Sequence, residues 1–356
     1  RLGRVTRYAT PGQSVMRISY DAYDLPVEVT SGNEVWTMEY TPMGNLRRQT
    51  RRTSSMRMVS ALNYEYDSYD QLKFVENEHG ERYFFERDLN GEVICERGFD
   101  GLERHYIRDL DGTVITTQLP DGTAVHHQHD QAGRLTYNKY TDGSWEAWEY
   151  DKAGRLTKAY NRDSVTEFVR NALGQVIKET QDGRTVEHKY DERSRLSNIV
   201  SALEGSITYG YDMKGSVNHI SAGMSEKRKP WEADIAYDRF GRETSRMMPG
   251  CVENTMHYDS IGRPAHQRVR HNGRTLLDKS YLWGDNLRLL QTLDTINGRS
   301  VRYDYDIFGS LSGAVFGDGS RQWRNPDLMG NVYDSPDRTD RSYGRGGQLR
   351  EDRKWR

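Results

Sequence analysis

The stretch Tyr150-Asp151-Lys152-Ala153-Gly154-Arg155-Leu156 decides the fold, because its pattern returns along the whole chain. The pattern is Tyr-Asp, two variable residues, Gly, one variable residue and an aliphatic residue. Sixteen copies follow one another, some of them degenerate, and most are 20 or 21 residues apart. A regular period of this length indicates repeats that share one supersecondary structure. The positions that define the motif best are Tyr150, Asp151, Gly154, Leu156, Tyr211, Asp212, Gly215, Val217, Tyr237, Asp238, Gly241, Tyr258, Asp259, Gly262, Tyr305, Asp306, Gly309 and Leu311.

A second signal lies between the motif copies, where Asp-Gly or Asn-Gly pairs are flanked by strand-forming residues. Such a pair predicts a type I′ hairpin turn, in which both central residues have positive φ. The predicted hairpin turns are Asp121 with Gly122, Asp142 with Gly143, Asp182 with Gly183, Asn272 with Gly273, and Asp318 with Gly319. Each repeat is therefore predicted to be a β-hairpin.

The motif itself is expected to turn the chain into the next hairpin. Its Asp side chain suits hydrogen bonds from backbone N–H groups two residues on, and its Gly suits a left-handed conformation. The Tyr should end one strand, and the aliphatic residue should begin the next. We expect the motif tyrosines to stack along one line of the sheet.

Leucine-rich repeats and parallel β-helices have comparable periods, and β-propeller blades of about 40 residues could form from pairs of units. A hairpin turn midway through each unit is incompatible with the one-way coil of a β-helix. The chain lacks the LxxLxLxxN pattern, helical periodicity and a two-unit super-period. We therefore predict an all-β fold, a long antiparallel meander of about sixteen hairpins. The repeats run through residues 1–356, so we expect a single repeat region with no domain boundary inside it, as a fragment of a larger shell.

A meander of roughly 32 strands would be roughly 150 Å wide at the usual strand spacing. Twisted open sheets rarely exceed about 10 strands without curling, so the ribbon should wind into part of a hollow spiral shell, or cocoon. The composition agrees, because hydrophobic residues make up only 35% of the chain while aromatic residues make up 11%. A wall one sheet thick needs fewer core residues than a packed sandwich.

Charge and hydropathy exclude several functional classes. The chain has 51 basic and 53 acidic residues among 356, giving a net charge of -2, which favours neither nucleic acid nor an anionic membrane as partner. No apolar run approaches the ~20 residues that span a bilayer. Two cysteines, Cys95 and Cys251, form no disulfide framework. The absence of an initiator Met suggests a piece of a longer polypeptide.

The motif resembles the Rhs (YD-repeat) family along essentially the whole chain. That family includes bacterial polymorphic toxins, the C component of insecticidal toxin complexes and the teneurin cell-surface proteins. The resemblance implies a β-cocoon that encloses a C-terminal toxin domain released by autoproteolysis. The releasing motif is not found here, and Asn325-Pro326-Asp327 only resembles a fragment of it. Autoprotease and toxin activity are therefore not assigned to any residue of this chain.

Candidate chemical groups are few, and we predict no catalytic, cofactor-binding or metal site. His126-His127-x-His129 is metal-like in passing, but His129 occupies the motif Tyr position. Calcium-like runs at residues 88–91, 109–112 and 304–306 are accounted for by turn geometry. The basic pairs at residues 47–48 and 51–52 and the run Lys227-Arg228-Lys229 read as solvated loops. Gly344-Arg345-Gly346-Gly347 lacks the context of a phosphate-binding loop.

Longer spacings near residues 50–60 and 222–231, and on either side of Leu282, predict residues inserted in hairpin loops. The preferred function is a non-enzymatic encapsulating segment of a secreted bacterial toxin, made in the bacterial cytoplasm and delivered by type VI secretion or a toxin-complex-like route. Expected partners are the rest of the shell, an enclosed toxin domain, and spike or chaperone proteins. The alternative is an adhesion surface that binds glycans or neighbouring cells.

Overall fold

The computed structural model describes residues 3–54, 58–224, 230–306 and 308–353. Within these ranges the chain forms 34 β-strands and two short 3-10 turns, at Asp285–Leu287 and Arg345–Gly347, and no α-helix. None of the described residues forms a helix with the length and apolarity that a membrane crossing requires.

The strands, in chain order, are β1 (Arg7–Tyr8), β2 (Met16–Tyr20), β3 (Pro26–Ser31), β4 (Glu34–Tyr40), β5 (Leu46–Thr53), β6 (Met58–Tyr66), β7 (Leu72–Glu76), β8 (Arg82–Arg87), β9 (Val93–Arg97), β10 (Glu103–Arg108), β11 (Val114–Gln118), β12 (Ala124–His129), β13 (Leu135–Tyr140), β14 (Trp145–Tyr150), β15 (Leu156–Asn161), β16 (Val165–Arg170), β17 (Val176–Gln181), β18 (Arg184–Tyr190), β19 (Leu196–Ser201), β20 (Gly205–Tyr211), β21 (Val217–Met224), β22 (Trp231–Tyr237), β23 (Glu243–Met248), β24 (Val252–Tyr258), β25 (Pro264–His271), β26 (Arg274–Trp283), β27 (Leu289–Asp294), β28 (Arg299–Tyr305), β29 (Leu311–Phe316), β30 (Arg321–Trp323), β31 (Asn325–Pro326), β32 (Val332–Tyr333), β33 (Arg341–Tyr343) and β34 (Leu349–Asp352).

Most strands pair antiparallel with their neighbours in sequence. Ala147 of β14, for example, pairs with Tyr137 of β13 on one side and with Tyr160 of β15 on the other. Thirty strands belong to one sheet, and β31 with β32 and β33 with β34 form two small sheets. The predicted all-β antiparallel meander of hairpins is confirmed.

Very little of the sheet is buried. The buried hydrophobic residues among those described are Val35, Phe74, Cys95, Val125, Ala147, Ala233 and Ile235, and no large side chain is less than 2% exposed. On β22 the buried Ala233 and Ile235 alternate with exposed Glu232 and Asp234, as the two-residue period of a strand requires. Along most of the described strands, therefore, the side chains are not buried under a second layer.

Cross-strand aromatic contacts supply part of the packing that a thick core would otherwise give. Trp145 stacks on Tyr137 with ring centroids 5.9 Å apart and meets Tyr160 edge-on at 5.7 Å. Phe74 and Phe84 lie 5.3 Å apart on adjacent strands. Aromatic pairs of this kind stabilise neighbouring strands beyond simple area burial.

Contacts between residues divide the chain into two compact units, one of residues 1–106 with 280–356 and the other of residues 107–279. The expectation of a single repeat region stays a prediction. The sequence predicted that the inserted residues lengthen hairpin loops. Some of them lengthen strands instead: β6 has 9 residues, β21 has 8 and β26 has 10. Residues 55–57 and 225–229, including Lys227-Arg228-Lys229, lie outside the described residues.

Candidate functional site

The repeated motif forms a turn whose backbone groups are satisfied by the motif Asp. At the best copy, Oδ1 of Asp151 accepts hydrogen bonds from the N–H groups of Ala153 at 2.9 Å and Arg155 at 3.0 Å. Gly154 has φ +80 and donates its N–H to the carbonyl of Asp151 at 3.0 Å. Tyr150 ends β14 and Leu156 begins β15, so the motif is the connection between two hairpins.

The same geometry recurs at the other predicted positions. Asp212, Asp238, Asp259 and Asp306 each accept two backbone N–H groups, two and four residues further on. Gly215, Gly241, Gly262 and Gly309 all have positive φ, from +79 to +93. Tyr211, Tyr237, Tyr258 and Tyr305 end strands, and Val217 and Leu311 begin the following strands.

Each motif tyrosine joins its own repeat to the preceding one through its hydroxyl group. The hydroxyl of Tyr150 donates to the carbonyl of Leu135 at 2.8 Å, and that of Tyr211 donates to Leu196 at 2.6 Å. The equivalent bonds of Tyr237, Tyr258 and Tyr305 reach Val217, Glu243 and Leu289. The acceptor is the first residue of a strand, so each tyrosine ties the motif turns of two consecutive repeats together.

The expected stacking of motif tyrosines is wrong. Another strand lies between consecutive tyrosine-bearing strands, so the rings are two strand spacings apart, roughly 10 Å. An arginine of the preceding repeat covers the ring instead. The guanidinium carbon of Arg134 lies 4.9 Å from the centre of the Tyr150 ring, and that of Arg195 lies 4.2 Å from Tyr211.

These arginines also bind the Asp of their own turn. Arg134 and Asp130 approach to 2.6 Å, as do Arg195 and Asp191. The hydrogen bond from Arg195 is the largest influence lowering the pKa of Asp191, and Arg134 acts in the same way on the pKa of Asp130. Asp, Arg and the next Tyr thus form one rung of a ladder that repeats along the sheet, which we call the motif ladder. Arg242 forms a further rung, with its guanidinium carbon 4.7 Å from the Tyr258 ring centre.

The Asp-Gly turns lie at the other ends of the strands, opposite the motif turns. They are of two kinds. Asp182 has φ +50 with Gly183 at +80, and Asn272 has φ +49 with Gly273 at +76, as a type I′ turn requires. At Asp121, Asp142 and Asp318 only the following glycine, Gly122, Gly143 or Gly319, has positive φ. The type I′ expectation is wrong there. The N–H of Gly143 binds the carbonyl of Tyr140 at 3.0 Å, which is a longer turn with a left-handed glycine at its end.

We call the row of strand ends that carry the motif turns the YD edge. The motif turns along it carry large exposed apolar side chains. In the unit of residues 107–279, Leu110, Leu173, Met213 and Phe240 lie at the variable positions of these turns and are 66% exposed or more. In the other unit the same positions hold the exposed residues Tyr23, Met43, Tyr69, Leu89 and Leu328. A row of apolar tips along one edge indicates a surface for contact.

Three late turns of the unit formed by residues 1–106 and 280–356 contact early segments of the same unit, one of them through an aromatic side chain. The ring of Phe308 lies under the Arg51 guanidinium at 4.3 Å, and its carbonyl accepts a bond from Arg51 at 3.1 Å. Asn286 accepts the N–H of Ser14 at 2.8 Å. Gly346 packs so closely on Asp100 that an added Cβ would lie 2.8 Å from its backbone nitrogen.

The surfaces that receive these late turns all lie at the edge opposite the YD edge. Ser14 precedes β2, Arg51 is near the end of β5, and Asp100 is in the turn between β9 and β10. Arg51 is held in place by Glu34 at 2.9 Å. Within this unit, therefore, the YD edge of late strands is seated on the opposite edge of early strands.

The other candidate groups take part in turns or pair contacts. Both ring nitrogens of His127 are hydrogen-bonded, to Thr117 at 2.9 Å and Asn138 at 2.8 Å. His126 bonds to Thr116 at 3.0 Å, and the ring of His129 lies 6.5 Å from that of His127.

The calcium-like and basic runs are likewise engaged. Asp88 and Asp109 each bind two backbone N–H groups of their own turn, and Asp304 pairs with Arg321 at 2.5 Å. Arg52 lies 3.6 Å from Glu28. Asn325 donates to the carbonyl of Pro336 at 3.0 Å.

Sequence reasoning missed the motif arginine and a cluster of Cys95, Glu103 and His105. The arginine had a signal, because it follows the motif glycine at residues 134, 155, 242 and 263 and the serine in that position at residue 195. Cys95, Glu103 and His105 come together only through strand pairing, with ligand atoms all within 4.8 Å of one another.

Comparison with known proteins gives one family match and several structural matches. The family model described as Teneurin YD-shell matches residues 147–325. No curated protein sequence matches the chain.

Two crystal structures of TcdB2-TccC3, one of them with Cdc42, each superpose with a TM-score of 0.69 at 13% identity over 85% of this chain. The pore structure of a Photorhabdus luminescens Tc holotoxin with a TccC3 mutation gives a TM-score of 0.65 at 12% identity over 95% of this chain and 24% of its own. The chain spans 19% to 20% of the length of the first two chains. At these identities the likeness concerns the fold.

Proposed function

The chain belongs to the teneurin YD-shell family, and on that premise we propose that it is part of the wall of a secreted bacterial shell that encloses a toxin domain. In this proposal the chain acts by confinement and carries out no reaction. The enclosed toxin, the remaining wall and the secretion or toxin-complex components are its partners.

The near absence of a core supports a wall role. Only seven hydrophobic residues among those described are buried, and along most of the described strands the side chains are not buried under a second layer. A globular enzyme domain of this size would bury far more of its apolar surface. A single sheet instead offers two broad faces, one of which is available to contact enclosed cargo.

The contact of Phe308 with Arg51 is the observation that carries the proposal of a larger wall. It shows how a YD edge is covered: a tip residue packs against the opposite edge of other strands. Phe240 occupies the same turn position as Phe308, Leu110 and Met213 lie one position earlier in their turns, and all three are exposed. We infer that a further band of the same wall covers them in the longer protein, as early strands cover Phe308.

The test is protease protection of the enclosed domain in the full-length polypeptide. We expect that domain to resist digestion in the unmodified full-length polypeptide (the parent). It should be digested faster when Met213→Asp removes an exposed apolar side chain from the YD edge. Lys214→Asp is the matched control, because it adds a carboxylate to the same turn without removing an apolar side chain. A downstream domain that is cut as quickly inside the parent as it is alone would refute confinement. Glycan binding without protection would favour the adhesion alternative.

A further inference from the structure

The strand pair β9 and β10 brings three metal-ligating side chains together. Cys95 of β9 pairs directly with His105 of β10, and Glu103 lies two residues before His105 on the same face. Sγ of Cys95 is 4.0 Å from Nε2 of His105, and that nitrogen is 3.3 Å from Oε2 of Glu103. We propose that Cys95, His105 and Glu103 bind a zinc ion, with the fourth position open to solvent.

The separations are close to those of a tetrahedral site. Zinc bonds of about 2.3 Å to sulfur and about 2.0 to 2.2 Å to nitrogen and oxygen place neighbouring ligand atoms roughly 3.3 to 3.6 Å apart. The nitrogen and oxygen atoms already satisfy this distance. The sulfur must move toward the imidazole by about 0.4 Å. It must also approach the Glu103 carboxylate, since the three ligand atoms lie within 4.8 Å of one another.

The carboxylates around the cluster favour binding of a cation, and the ion pair that the cation would replace is weak. Glu86 of β8 pairs directly with Cys95, so a further carboxylate lies on the neighbouring strand. Outside the cluster, Glu103 lies 3.6 Å from Arg97, and both side chains of that pair are more than 40% exposed. Exposed ion pairs of this kind contribute little, so a metal would displace Arg97 at small cost. Thiolate and imidazole together select zinc among the common divalent cations.

The position of the cluster suggests what the metal would do. The hairpin formed by β9 and β10 ends in the turn on which Gly346 packs, and Gln348 donates to Asp100 of that turn at 3.2 Å. A zinc ion that joins the two strands would stiffen the hairpin that receives this late turn. The ion would therefore strengthen the seating of one edge on the other within this unit.

Cobalt titration of the reduced, chelator-treated chain tests the proposal. We expect one Co²⁺ per chain with sulfur-to-cobalt charge-transfer absorption, displaced by Zn²⁺. His105→Ala should weaken binding at least about 100-fold, since even loss of an outer partner costs 10–100-fold. Cys251→Ser is the matched control and should bind as the parent does, because the exposed Cys251 lies outside the cluster.

The variants also separate binding from folding. Glu103→Gln changes an exposed side chain, so its metal-free circular dichroism should equal that of the parent while its cobalt affinity falls. Charge-transfer absorption that persists in Cys95→Ser would overturn the proposal. Cobalt binding of equal strength in His105→Ala and the parent would overturn it as well, as would a parent that binds no cobalt.

Discussion

The contact between Arg195 and Tyr211 should behave as an energetic link between two consecutive repeats. The guanidinium carbon lies 4.2 Å from the ring centre, and the Arg195 side chain is 26% exposed. Nη1 of Arg195 is buried without a hydrogen-bond acceptor among the described residues, so the ring face is its main compensation. A cation–π contact of this exposure contributes about 0.5 to 1 kcal/mol.

A double-mutant cycle of Arg195→Met and Tyr211→Leu isolates that contribution from the other bonds of both residues. We expect a coupling of about 0.5 to 1 kcal/mol. Tyr211→Phe keeps the ring but removes the 2.6 Å hydrogen bond to Leu196. It should destabilise the local structure by about 1 kcal/mol, which is about fivefold in an opening equilibrium.

Native-state hydrogen exchange of the amides in β19 and β20 is the suitable assay. Repeat proteins are stabilised by contacts between neighbours, so a lost rung raises local opening before it affects global unfolding. Tyr209→Phe is the control, because the hydroxyl of Tyr209 has no hydrogen bond among the described residues of this strand. Strictly additive effects in the cycle would refute the ladder, as would equal exchange in Tyr211→Phe and Tyr209→Phe.

Three further predictions concern the turns and one tyrosine. Ser194 has φ +63 at a motif glycine position. Ser194→Gly should therefore stabilise its turn by about 0.5 to 1 kcal/mol in local hydrogen exchange, and Gly154→Ala should destabilise its turn by about 1 to 2 kcal/mol. Slower exchange in Gly154→Ala, or faster exchange in Ser194→Gly, would contradict the strain argument. The backbone N–H and then the side chain of Arg155 lower the pKa of Asp151 below its ordinary 3.8, so the carboxylate stabilises the fold above that pH and the contribution is lost as pH falls through the lowered value. Thermal melting against pH should show this loss, and Asp151→Asn should flatten it. The hydrogen bond to Glu96 raises the pKa of Tyr83 from 10.0 to about 12, so its contribution is complete below pH 10.0 and is lost toward about 12; Glu96→Gln should return the absorbance titration of Tyr83 toward its ordinary range.

The hairpins were predictable because their determinants are local. An Asp that caps N–H groups two and four residues later and a left-handed Gly act within one turn, so Asp151 and Gly154 suffice to place the ends of β14 and β15. The turn type at Asp142 was not predicted from the Asp-Gly pair, because type I′ geometry also requires a two-residue loop. Four residues separate β13 from β14 there, whereas two separate β17 from β18.

The contacts between repeats escaped prediction because they depend on register over longer distances. Arg195 meets a tyrosine sixteen positions later only after two strands have paired. Phe308 meets Arg51, 257 residues earlier, and no local pattern identifies that partner. The cluster of Cys95 and His105 likewise requires the cross-strand pairing of those two positions.

The motif ladder also explains how a sheet this poor in buried apolar residues holds together. Each rung satisfies a turn, covers an aromatic ring and ties two hairpins, so stabilisation accumulates per repeat and does not require a thick core. Neither face of the sheet then needs a second layer packed against it for stability. A wall built in this way leaves the space beside it for another molecule, because its own side chains are not needed there for stability. Under the proposed function, therefore, variants that break one rung should loosen the sheet locally and increase protease access to an enclosed domain before the chain unfolds.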